Sequence, residues 1–214
     1  MPNVNRSTMH RITIIMLLLV SIKINGQTNY LNPCVDWGKK IEAIKVYNED
    51  FDRIISTELN QEYLIRFIAR PSFDPESAFQ IEKETHTVYR LKVILFQESL
   101  WYSDHRDSIK VDPYERSINE DLAMSLDKLF NKATSSAMTK KTSIIEGLDG
   151  VTYYFYKKSE TGIISCGECW SPSDETALFE LVNICDLLID YAVKGTNDID
   201  NLIDRIAKLY TKIE

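Results

Sequence analysis

The chain has 214 residues, 44% of them hydrophobic and 27% charged, with a formal net charge of −7. That acidic balance works against nucleic acid, which selects Lys and Arg clustered on one face, and against an anionic membrane surface. It favours a basic partner.

The N-terminus carries Arg6, His10 and Arg11, then an apolar run over residues 12–22, then polar Asn25-Gly26-Gln27. A cationic start, a short apolar stretch and a small residue at the cleavage position predict a secretory signal over residues 1–26. The run is shorter than the roughly 20 apolar residues of a bilayer span, and no later segment approaches one. The expectation is therefore export to a periplasm or the extracellular space, with no membrane insertion after signal cleavage. Loss of Arg6, Arg11 and Lys23 moves the charge from −7 to about −10. Residues 27–214 are enough for one domain with a substantial core, and no Gly/Pro/Ser-rich linker divides them.

Residues 27–38 read as an irregular leader containing Pro33, Cys34 and Trp37. Ile41, Ile44, Tyr47, Phe51, Ile54 and Ile55 recur at helical spacing and predict a helix over 39–57. The period then changes: residues 63–69 are rich in β-branched and aromatic residues, and Phe73-Asp74-Pro75 reads as a turn. Residues 77–83 and 87–96 predict a hairpin, with Tyr89, Leu91, Val93 and Leu95 alternating with polar neighbours. Residues 101–113 are polar and read as a loop. Ser117 and Glu120 have the spacing of a capping box ahead of a second helix over 118–133. After a turn at 147–150, residues 151–156 and 163–170 predict a second hairpin. Ser171, Pro172 and Asp174 then read as the start of a helix ended by Gly195, and Asn197 as the cap of a last one. The order predicts an α+β fold: a largely antiparallel sheet of about five strands, with about four helices packed mainly on one face.

Cys166-Gly167-Glu168-Cys169 is the most specific motif. In an exported chain such spacing points to disulfides before metal or thiol chemistry. If residues 163–170 are extended, Cys166 and Cys169 face opposite sides of the strand and lie about 10 Å apart, too far to bridge each other. Cys34 and Cys185 are the alternative partners. Four cysteines allow three pairings, and all three remain open at this point.

Two histidines follow the signal, His86 and His105. His86 sits in a hairpin connection. His105 lies between Asp104 and Asp107, beside Trp101 and Tyr102, and a histidine flanked by carboxylates has the parts of a general base. A solvated loop is the simpler reading of so short and charged a segment. No phosphate loop, nucleophile elbow or paired-histidine helix is present, and no metal or cofactor is expected. Trp101, Tyr102, Tyr154, Tyr156 and Trp170 are the aromatic candidates for a binding surface, although aromatic residues also suit strands for packing alone.

The expectation that follows is an exported, non-catalytic binding protein acting on another protein: an inhibitor, an immunity-type factor or an envelope accessory factor. The alternative is an exported hydrolase or thiol/metal-dependent enzyme built on the 104–107 loop and the Cys166/Cys169 pair.

Overall fold

A computed structural model describes residues 29–35, 41–85, 87–139, 149–195 and 199–213. Residues 1–26, where a signal is expected, Trp37, His86 and Asn197 lie outside them. The element order is β1 (Asn32–Pro33), α1 (Glu42–Glu58), β2 (Ile65–Pro71), β3 (Ser77–Lys83), β4 (Tyr89–Phe96), a 3-10 turn (Arg106–Ser108), β5 (Val111–Ile118), α2 (Glu120–Ala137), β6 (Val151–Lys158), β7 (Ile164–Trp170), α3 (Ala177–Lys194) and α4 (Ile199–Tyr210). The strands form one sheet in the order β1-β7-β6-β2-β3-β4-β5, every neighbouring pair antiparallel. The fold is α+β, with seven strands rather than about five. Both additional strands lie at the sheet edges.

β5 departs most from expectation, because residues 111–113 carry the polar character of a loop yet begin a strand. Gln97 N donates to Lys110 O at 3.0 Å. Antiparallel alternation from that pair turns the backbones of Asp112, Tyr114 and Arg116 towards β4, and those of Val111, Pro113 and Glu115 towards the open edge. Pro113 therefore sits where the ladder needs no N–H donor. Its presence, with Glu115 and Arg116, makes the strand look like a loop and also discourages a second chain from pairing there.

Period-2 alternation divides the apolar side chains between two layers. Ile65, Phe67, Phe79, Ile81, Leu91, Val93 and Phe155 pack with α2, α3 and α4 in the larger cluster. Ile68, Ala78, Ile94 and Phe96 have the opposite parity and pack beneath Tyr47, Phe51, Ile54 and Ile55 of α1. The four described helices thus divide three to one between the clusters.

Helix starts differ from expectation. Asn119, not Ser117, caps α2 by accepting from Leu122 N at 2.9 Å, because Ser117 still belongs to β5. Thr176, not Ser171, caps α3 by accepting from Phe179 N at 3.1 Å. Ser171 instead takes a φ of +32°, and its hydroxyl accepts from Val151 N at 2.9 Å, closing the end of the β6–β7 pair. α3 ends as expected at Gly195, which has a φ of +74° and donates to Tyr191 O.

Candidate functional site

The Cys166–Cys169 segment is resolved by its position on β7, next to the short strand β1. Cys34 and Cys166 form a disulfide with Cα atoms 5.6 Å apart, within the range such a bond requires. The adjacent pair in the register is Pro33 with Gly167. Gly167 has no side chain because Leu31 occupies that space. A Cβ added at Gly167 would lie 2.8 Å from Leu31 Cβ and 3.1 Å from Ala137 Cβ of α2. Glu168 accepts from Val35 N at 3.3 Å. Cys169 projects to the other side of the strand and is buried, as is Cys185 on α3; both are free thiols. Burial pushes both thiols well above their ordinary range, where the thiolate is suppressed. Cys166, Gly167 and Glu168 therefore clamp residues 31–35 against β7, while Cys169 packs in the core and takes no part. We expect Gly167→Ala to lower stability by about 1–3 kcal/mol, the range for inserting a methyl into a filled space. A urea midpoint unchanged from the parent protein would show that Leu31 is not seated there.

The 104–107 loop and these cysteines do not meet. The loop joins β4 to β5, whereas the cysteines lie on or against β7, four strand spacings away from β4. At about 4.8 Å per spacing this is roughly 19 Å. Asp104, His105 and Asp107 are exposed. The backbone N of His105 donates to Ser103 Oγ, and its carbonyl accepts from Ser108 Oγ at 2.9 Å, so the segment is a self-bonded turn. Among the described residues, no group of three His, Cys, Asp or Glu side chains is placed to hold a metal ion.

The aromatic residues do converge, at the end of the sheet where the β2–β3 turn meets the β4–β5 loop. Phe73 and Tyr102 stack with centroids 6.1 Å apart and planes 10° from parallel, yet they are 62% and 57% exposed. Trp101, 39% exposed, meets Tyr47 of α1 edge to face at 5.3 Å. Beneath them is a fixed base. Arg70 lies 4.0 Å above the Phe51 ring and within 5.3 Å of the Tyr47 and Tyr154 rings, and it donates to Asn48 at 2.8 Å. Glu76 is buried. Its carboxylate accepts from Tyr47 Oη and from Leu100 N, both at 2.9 Å, so one acid ties the β2–β3 turn to α1 and to the loop carrying Trp101. Burial raises the Tyr47 hydroxyl pKa far beyond the working range, and the Glu76 hydrogen bond raises it further, so Tyr47 stays a donor.

Of the residues singled out from sequence, Trp101 and Tyr102 are on this surface, and Tyr154 is one layer below, through Arg70. Tyr156 is half-buried farther along β6, its hydroxyl pushed up to about 12 by burial. Trp170 shares a cross-strand row with Thr152 and Arg70. Its ring lies against Gly150, where an added Cβ would come within 2.8 Å of it. Sequence alone marks Tyr47 as a helix-face residue and Phe73 as a turn residue, and gives neither them nor Arg70 and Glu76 a place in a binding surface. Phe73 did leave a signal, as a large apolar residue inside a turn with no periodic reason for burial.

A separate groove of about 450 Å³ lies between α1 and the start of β5, lined by Arg53, Ile54, Thr57, Glu58, Gln97, Ile109, Lys110, Val111 and Asp112. Two basic and two acidic side chains line it, and no cysteine, serine or histidine does.

On the opposite layer, Asp186 of α3 is open to solvent on one side, and partial desolvation by its neighbours and the Asp190 charge raise its pKa from 3.8 to about 6. Its folded value lies above its unfolded one. The fold therefore gains from protonation at low pH and loses that gain as pH rises through about 6. Asp186→Asn should stabilise the protein at pH 7.5, by about 1 kcal/mol once screening at its open side is allowed for. The gain should shrink between pH 6 and pH 4, and thermal midpoints across that range test the sign.

These features define a class: an α+β protein with an antiparallel sheet, a disulfide-clamped edge and an exposed aromatic end. No family model, curated protein or solved structure matches the chain. Among the described residues, no helix is long and apolar enough to cross a membrane.

Proposed function

We propose that this is an exported, non-catalytic protein that binds another protein through the aromatic end of its sheet. The carrying observation is the Phe73–Tyr102 pair, two large rings stacked on each other and left open to solvent. Leaving apolar rings exposed is unfavourable for an isolated domain, and aromatic side chains are enriched where partners dock. Glu76, Tyr47 and Arg70 hold the base of the surface, which limits the ordering entropy lost on binding. The secretory-type N-terminus and the Cys34–Cys166 bridge support export.

A photo-reactive phenylalanine derivative at position 73 or 102, installed in the producing cell, tests the reading. Adducts to one discrete protein are expected at both positions and not at Glu160, in the turn between β6 and β7. Absence of adducts, or the same products at all three positions, would remove the proposal.

A further inference from the structure

Resting on that protein-binding reading, we infer that the aromatic end takes a basic partner and grips it through an arginine stacked on the exposed Phe73–Tyr102 rings. The first reason is the rings themselves. An aromatic face is electronegative, and a planar guanidinium both stacks on it and is attracted to it, more readily than a lysine ammonium.

The second reason is the charge around them. The two segments that carry the rings also carry Asp74, Glu98, Asp104 and Asp107, all exposed. None of the four forms an ion pair among the described residues. The nearby arginines are engaged internally. Arg106 donates to Trp101 O at 3.1 Å and faces Asp50 at 3.9 Å, while Arg70 is held by Asn48 and by three aromatic rings. Lys110, the lysine of this loop, lines the groove beside α1. The two ring-bearing segments thus carry an acidic rim of four unpaired carboxylates, each within five residues of Phe73 or Tyr102 along the chain. Its complement is a cationic side chain with a flat, weakly hydrated head, presented on a basic surface that carboxylates of this rim would steer into place.

The probe is a fluorescent hexapeptide rich in arginine with one tryptophan. Two analogues replace every arginine by lysine or by glutamate. Fluorescence anisotropy is measured with the full, signal-cleaved, disulfide-bonded protein. The arginine peptide should bind at least about 10-fold more tightly than the glutamate peptide and about 3-fold more tightly than the lysine peptide. Phe73→Ala with Tyr102→Ala should weaken it about 10-fold, Asp74→Asn with Asp104→Asn about 3–5-fold, and Glu160→Gln not at all. Far-ultraviolet circular dichroism checks that each variant is folded.

Absence of binding by the arginine peptide overturns the inference. So does equal binding by the aromatic double variant, which would mark general attraction to an acidic chain. If photo-adducts form at positions 73 and 102 but the captured protein is not basic, this inference fails and the protein-binding reading stands. If no adducts form, the protein-binding reading itself has failed.

Discussion

Replacing Cys34 and Cys166 together by serine should lower the stability of the oxidised protein by about 3–5 kcal/mol. The bridge joins positions 132 residues apart, and closing a loop of that length removes about 5 kcal/mol of conformational freedom from the unfolded chain in the entropic account of disulfides. The double replacement leaves neither thiol unpaired. The loss has a definite location. β1 pairs with β7 through only two residue pairs, too little hydrogen bonding to hold a strand by itself. With the bridge gone, the segment is left with those two pairs, the Val35–Glu168 hydrogen bond and the packing of Leu31 beside Gly167 and Ala137. Hydrogen exchange should therefore quicken first along the β7 edge and in the leader, ahead of the central strands β2, β3 and β6. Intact mass gives an independent check: the parent protein should show one bridge and two thiols, Cys169 and Cys185, that alkylate only after unfolding. A double variant with an unchanged denaturation midpoint would show that the leader is held by something other than the clamp.

The second large effect is expected at Phe51. Its ring is fully buried, stacks on Phe96 at 5.5 Å with planes 4° apart, and carries the Arg70 guanidinium on its face at 4.0 Å. Phe51→Ala should cost about 3–5 kcal/mol, the range for removing a fully buried aromatic side chain from a filled core. Because α1 is the one described helix in its cluster, few neighbours are available to close the cavity. The change should also be felt at the aromatic end. Arg70 loses its closest ring, the Asn48 and Tyr47 contacts loosen, and Trp101 loses its fixed partner in Tyr47. Among the described residues Trp101 is the one tryptophan in contact with this base, so the expected signature is a red-shifted, broadened tryptophan emission in a protein that still melts cooperatively. Phe51→Leu should recover much of the stability but little of the stacking, which separates volume from the Arg70 contact. Emission unchanged in both variants would mean that α1 does not set the position of the surface.

Much of the fold can be read along the chain because local chemistry decides it. Hairpins at 77–96 and 151–170 follow from alternation and turn residues. α1 follows from the spacing of Tyr47, Phe51, Ile54 and Ile55, and Gly195 ends α3 because only glycine takes a positive φ there at low cost. The opposite-facing geometry of Cys166 and Cys169 also follows from strand pleat alone. What local chemistry could not decide was anything that depends on where a segment lies in the sheet. β5 is polar because it is an edge, and β1 is a strand only because β7 offers it a partner. Four cysteines with three pairings became one bridge once Cys34 was placed beside Cys166 by that edge pairing. The stacking of Phe73 on Tyr102, and the anchoring of both loops by Glu76, join residues 24 to 29 positions apart. Such contacts carry no periodic trace in the sequence, because they depend on how the sheet brings distant turns to one end rather than on which residues are neighbours.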